Sequence, residues 1–178
     1  PVELSRRLLV PLQMNDTSVG REALLGSNNW ARPHTYGRGG WVAVQPKPTY
    51  YQLPAAAGVN ASIRDVAIWM RAQLGEYPDV LPPAVLELVQ TARVDTPGEL
   101  LGPRWRRERI SAAGYALGWR VFDYAGNRMI FHAGAVQGYR AMVALLPDQG
   151  FGVAVLWNSN SGVPAGLLPR ILDRQLQI

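Results

Sequence analysis

Of the two histidines in the sequence, His132 occupies the position best suited to chemistry. It follows a strand-like run, Met129, Ile130 and Phe131, and precedes Ala133 and Gly134, with another glycine at Gly138. An imidazole at a strand end can hold or pass a proton near neutral pH, and a neighbouring glycine lets a ligand approach the backbone. Other catalytic arrangements fail on residue type or spacing. A Ser-x-x-Lys nucleophile needs a lysine, and Lys47, the only one, has Val44 three places before it; Gly-x-Ser-x-Gly is also absent. Asp123, Asp148 and Asp173 fall at a strand end, a turn and an outward helix face, where carboxylates serve solubility. The "GRGG" stretch lacks the lysine and helix of a phosphate-binding loop. With no cysteine and two histidines far apart, a thiolate or zinc site is not expected, and no cofactor or metal is implied. His34, in "ARPHTYG", reads as a structural residue of a loop.

Composition frames these residues. The chain has 178 residues, 48% hydrophobic and 17% charged, which suits a globular domain with one sizeable core. Its net charge is +5, part of it in one run, "RWRRER", Arg104 to Arg109. That run lies in a polar connector without a nucleic-acid motif, so it reads as a solvated loop and nucleic acid is not an expected partner. The longest apolar stretches, such as "FGVAVLW", fall far short of the roughly 20 residues that span a bilayer, so no membrane span is expected. Pro1 opens directly on a helix end, residues 3 to 10, with Leu4 and Leu8 on one face and Pro11 as the stop. The expectation is that the natural sequence continues upstream. No signal-peptide pattern is present, and composition leaves the compartment open.

The elements that must position His132 follow from periodicity. Residues 13 to 48 read as loop-rich, with a small hairpin around "YGRGGWVAV". In "NASIRDVAIWMRAQLG", Ser62 caps a helix, Asp65 completes an Asp variant of the capping box, and Val66, Met70 and Leu74 form an apolar stripe. A second helix starts at Pro82 and Pro83, with Val85, Leu88, Val89 and Ala92 as its buried face. Residues 94 to 112 read as loop. From Gly114 the period becomes two, in "GYALGWRVFDY", "NRMIFHAG", "GYRAMVALLP" and "FGVAVLWN", four strand-like segments with connections too short for anything but antiparallel pairing. Phe151 to Trp157, apolar nearly throughout, reads as a central strand covered on both faces. The closing helix buries Leu168, Ile171, Leu172 and Leu176. Trp69 and Trp119 fit core positions, and Trp157 fits core or cleft rim.

Three ordered stretches resemble one family. "HAGAVQGYRAMVALLPDQGFGVAVLWNSN" with "PAGLLPRILDRQL" resembles the C-terminal part of the class C β-lactamase and D,D-peptidase-like serine hydrolases, the penicillin-recognising enzymes. There a strand with Lys-Thr-Gly or His-x-Gly precedes a glycine turn, a strand ending in proline, an apolar strand ending near asparagine, and a final helix. "VPLQMNDTS" resembles the family's "PLGM.DT" segment, and "PAAAGVNASIRDVAIWM" its glycine turn into a capped helix. Together they cover residues 3 to 177. The resemblance implies an α+β fold, an antiparallel sheet flanked by helices, here as the C-terminal portion only. Residues 1–112 are then a mainly helical and loop region lining the cleft, and residues 113–178 the antiparallel strands plus the C-terminal helix.

The resemblance also implies roles. His132 matches the first position of His-x-Gly and helps to bind a substrate carboxylate or polarise the base network. Ala133 stands where threonine is frequent, Gly134 gives the substrate room, and the backbone N–H of Ala135 matches the second oxyanion-hole donor. Asn160 matches a carboxylate contact, and Ala57 replaces a tyrosine that walls the pocket in some β-lactamases. The family's Ser-x-x-Lys and Tyr-x-Asn motifs precede the "PLGM.DT" segment, so both are expected upstream of Pro1, in an N-terminal half that is this chain's chief partner. The chain alone is then inactive. The expected substrate is a β-lactam, a D-amino-acid peptide or an ester, and histidine in place of lysine disfavours antibiotic hydrolysis. An open sheet edge invites self-association, and the family favours a periplasmic or secreted setting. The alternative is a catalytically dead peptide- or protein-binding module on the same scaffold.

Overall fold

Helical periodicity gives way to strand periodicity along the chain, and the structure turns that change into a helix-flanked sheet. The computed structural model describes residues 2–178, and of Pro54 and Ala55 the backbone only. Helix α1 (Val2–Leu4) runs into a wider turn, Ser5–Leu9, and is followed by β1 (Ser18–Val19) and α2 (Arg21–Leu25). A hairpin, β2 (His34–Gly37) and β3 (Gly40–Ala43), precedes α3 (Pro54–Ala57) and β4 (Val59–Asn60). Helices α4 (Ile63–Gln73) and α5 (Pro83–Gln90) lead to β5 (Val94–Asp95), α6 (Arg104–Arg109), β6 (Ile110–Tyr115), β7 (Arg120–Tyr124), β8 (Asn127–Val136), β9 (Tyr139–Leu146), β10 (Phe151–Trp157) and α7 (Leu167–Leu176). Strands β5 to β10 form one antiparallel sheet in the order β10-β9-β8-β7-β6-β5, with β1 pairing β4 and β2 pairing β3 in separate ribbons.

The sheet buries both faces. On one, Phe122, Tyr124, Met129 and Phe131 pack with Leu168 and Leu172 of α7. On the other, Ile130 and Leu145 pack with Met70 of α4 and with Trp119, Val66 and Leu74 adding to the cluster. Full burial of side chains such as Phe131, Ile130, Leu145 and Leu168 contributes about 1.5–3 kcal/mol each. The Ser62 hydroxyl accepts from the Asp65 N–H at 3.2 Å and caps α4 as its sequence predicts. Asp65 itself does other work than a capping box. Its carboxylate is buried and accepts from the Asp16 N–H at 2.9 Å and the Thr17 hydroxyl at 2.7 Å, tying the "NDT" segment to α4.

Several expectations are corrected. The arginine run is a helix, α6, and residues 94 to 112 also supply a 3-10 turn (Pro97–Leu101) and two strands, so the sheet begins upstream of residue 113. The reason is internal pairing. Arg106, 13% exposed, pairs with Glu99 and lies over the rings of Trp105, Phe122 and Phe131, while Arg109 pairs with Asp173 at 3.2 Å. Glu99 also receives Arg120 at 2.9 Å. Asp173 therefore turns inward, accepting from the Tyr124 hydroxyl at 2.6 Å, and is not an outward solubilising residue. Residues 114–124 make two strands, because Gly118 (φ +84) reverses the chain between them. On α5, Val85 and Leu88 are exposed and Gln90 is buried, its amide donating to the Gln73 carbonyl at 2.9 Å. Ile171 is exposed beside buried Leu168 and Leu172. Strand β10 has α4 and α7 on its two faces as expected, but it is the edge strand of the sheet and not a central one.

Candidate active site

Two-residue turns at both ends of β8 fix which way its backbone points. Ala125 and Gly126 (φ +50 and +81) join Tyr124 to Asn127, and Gln137 and Gly138 (φ +78 at the glycine) join Val136 to Tyr139. The residues flanking a two-residue hairpin turn exchange both of their hydrogen bonds. Asn127 therefore bonds toward β7 and Val136 toward β9, and alternation sends the N–H and C=O of Ala133 and Ala135 to the β7 side. No β7 residue is there to meet them. The β7 ladder ends at Arg120, opposite Phe131, because the chain turns back over Ala116–Trp119, where the Ala116 N–H donates to the Trp119 carbonyl at 2.7 Å. From His132 to Val136, β8 is thus paired, among the described residues, with β9 alone and presents an open edge.

Side chains alternate across this edge. His132 and Gly134 lie on the α4 face, and Ala133 and Ala135 on the α7 face with Phe131. The His132 ring meets Trp119 edge to face at 6.4 Å, and Trp119 stacks in turn on Trp69 at 5.2 Å. Partial burial against this aromatic pair, and secondarily the nearby Arg120 guanidinium, hold the imidazole below its ordinary pKa, although the residue keeps an exposed side. Neutral imidazole is the form so favoured. At Gly134 an added Cβ would have no atom within 4 Å, so the space above it is open. Ala133 is half-buried and borders a shallow hollow with Trp105, Met142, Ala165 and Pro169.

The remaining sequence-derived residues are distributed more widely. Asn160 does not project freely: its Oδ1 accepts from the Gly138 N–H at 2.8 Å. Ala57 ends α3 in the layer of ribbons outside the large sheet, beside buried Gly58, whose carbonyl accepts from the Gly20 N–H at 2.9 Å. The structure thus brings His132, Gly134 and the Ala135 backbone to one edge, bonds Asn160 to the Gly138 turn and places Ala57 at the end of α3. Sequence reasoning missed Trp119 as the wall of His132, and missed Tyr139, whose hydroxyl donates to the Ala31 carbonyl at 2.6 Å. Burial, with Tyr51 nearby, pushes the Tyr139 hydroxyl up to about 12, so it stays protonated and donating. Among the described residues no cluster of three metal-ligating side chains occurs, and no helix is long and apolar enough to cross a membrane.

The Beta-lactamase family model matches residues 2–177. The chain belongs to the β-lactamase family. The antiparallel sheet and its flanking helices match the fold of that family. The chain is similar to an unguisins hydrolase, ungD', of Aspergillus campestris (strain IBT 28561), at 29% identity over 140 residues, 77% of this chain and 24% of that protein. Its fold is similar to that of the octameric penicillin-binding protein homologue from Pyrococcus abyssi, with a TM-score of 0.84 and 23% identity over 99% of this chain and 37% of that one. It is similar again to a D-stereospecific amidohydrolase from Streptomyces sp., with a TM-score of 0.63 and 20% identity over 88% and 43% of the two chains. The chain spans about a quarter to a third of the length of the curated relatives it matches.

Proposed function

We propose that these residues form the sheet side of the acyl-transfer cleft of a serine hydrolase of the β-lactamase family. The observation that carries this reading is the open edge from His132 to Val136, where β7 stops at Arg120. A substrate acyl group laid along that edge meets the N–H and C=O groups of Ala133 and Ala135, as an added strand would. A carbonyl placed against the Ala135 N–H gains a donor that strengthens as its oxygen becomes an oxyanion, an effect worth roughly 10² to 10³ in rate. Open space at Gly134 admits the substrate backbone or ring. His132, held toward its neutral form, accepts or relays a proton in the base network more readily than it binds a carboxylate.

The nucleophile belongs, in this reading, to another segment of the protein. Lys47 is the only lysine here and no serine stands three residues before it, so the family's Ser-x-x-Lys comes from outside these residues. The substrate class is an amide or ester of the kind that D-amino-acid peptides and β-lactams represent; the similar amidohydrolase and unguisins hydrolase support it. The test is turnover of a neutral ester and of a carboxylate-bearing amide by the complete protein and its His132→Ala variant. Loss on both substrates fits a role in the base network. Loss confined to the carboxylate-bearing substrate contradicts that role, and turnover of neither substrate by the parent protein contradicts the hydrolase reading.

A further inference from the structure

The end of β8 has a mechanical problem. From His132 to Val136 it is held by β9 on one side only, yet the direction of the Ala135 N–H is set there. Three residues from three parts of the chain meet at the turn that follows. The Gly138 N–H donates to Asn160 Oδ1 at 2.8 Å, the Asn160 N–H donates to the His34 carbonyl at 3.1 Å, and the His34 N–H donates to the Gly138 carbonyl at 3.3 Å and the Asn158 carbonyl at 3.0 Å. The contacts close into a ring. Asn158 reinforces it by donating from Nδ2 to the Arg32 carbonyl at 2.8 Å, and Tyr139 by donating to Ala31. Packing is equally tight: a Cβ on Gly138 would stand 2.5 Å from Pro33 Cβ and 2.8 Å from the His34 nitrogen. The clasp therefore admits only glycine at that position.

We infer that Asn160 is a positioning residue for the oxyanion donor, acting through the Gly138 turn rather than by touching substrate. Its Oδ1 is the one side-chain atom in the ring, so it sets how far the turn can swing and hence where Ala135, three residues earlier, points its N–H. Its amide oxygen is already engaged by Gly138. A displacement of about 1 Å at a catalytic donor is enough to cost on the order of 100-fold in rate. The inference rests on the hydrolase reading for its catalytic consequence, whereas the clasp itself has an independent readout.

The experiment compares Asn160→Ala with Asn160→Asp, which keeps an acceptor oxygen for the Gly138 N–H. In the complete protein, Asn160→Ala should lower kcat on a neutral ester by about 10- to 100-fold with KM nearly unchanged, since the donor acts on the transition state. Asn160→Asp should restore most of the loss. In parallel, amide hydrogen exchange at Val136 and Gly138 should accelerate in Asn160→Ala and return in Asn160→Asp. A rise in KM with kcat intact, or equal losses in both variants, overturns the inference in favour of a substrate contact or a general folding defect. If the parent protein turns over no substrate, the hydrolase reading fails separately. Unchanged exchange at Val136 and Gly138 in Asn160→Ala then overturns the clasp as well.

Discussion

Trp119 walls one side of the His132 imidazole, the two ring planes meeting at 83° with centroids 6.4 Å apart. Partial burial there disfavours the charged ring, and the Arg120 guanidinium disfavours it further. An ordinary histidine titrates near about 6.5. His132 should titrate below that in the folded protein. Its contribution to stability is thus present above the unfolded value and is lost as pH falls through the folded one. Binding that needs imidazolium should strengthen only on the acid side of the ordinary value. An NMR titration of His132 measures this directly, and Arg120→Gln should raise the value. Titration at or above the ordinary value in the parent protein would contradict the environment described.

Gly134 and Gly138 stand four residues apart and should answer the same substitution in opposite ways. At Gly134 an added methyl meets nothing within 4 Å, so Gly134→Ala should change stability by no more than about 0.5 kcal/mol while intruding on the substrate path. At Gly138 the left-handed backbone (φ +78) and the contact with Pro33 both oppose a side chain. Gly138→Ala should cost about 2–4 kcal/mol. Denaturant midpoints together with ester turnover separate the two, and a destabilised Gly134→Ala would show that the space above that residue is not open.

The outer edge of β10 carries a further expectation. The Val136 to Tyr139 turn sends the N–H groups of Tyr139, Ala141, Val143 and Leu145 to β8, so Arg140, Met142, Ala144 and Leu146 bond to β10. On β10 that leaves the N–H groups of Gly152, Ala154 and Leu156 pointing outward with no strand beside them among the described residues. Leu167 and Ile171 of α7 are also exposed. In these 178 residues alone those three amides should exchange quickly, and they should become protected in the complete protein if another strand adds to that edge. Protection already present at low concentration in a monomer would contradict an open edge.

Much of this architecture was legible in the sequence. The Ser62 cap, the Val66, Met70 and Leu74 stripe, the hairpin at Gly40 and the antiparallel order of the later strands all depend on local spacing, which sequence displays directly. What failed depends on distant partners. "RWRRER" reads as solvated because its charges are visible, whereas Glu99, Asp173 and the rings beneath Arg106 that make it a packed helix are remote or unremarkable. Val85 and Leu88 look buried by type, yet the polar Gln90 takes the interior because Gln73 satisfies its amide. For the site, the His132 to Ala135 stretch was visible as a motif. Its open edge was not, although Gly118 marks where the facing strand must stop. The clasp at Asn160 joins residues 34, 138 and 160, and no local pattern announces it.

The most direct test is where an active-site serine probe attaches. The complete protein is treated with a fluorescent phosphonate or β-lactam, digested, and the modified peptide identified by mass spectrometry; the same reagent is applied to residues 1–178 alone and to these residues mixed with the separately expressed segment proposed to carry Ser-x-x-Lys. The expected result is a label on a serine outside residues 1–178, none on residues 1–178 alone, and labelling of the mixture that requires both pieces and drops in Gly134→Ala. A label on any serine within these 178 residues, or labelling of the Ser-x-x-Lys segment that is indifferent to their presence, would contradict the assignment of this chain as the sheet side of the cleft.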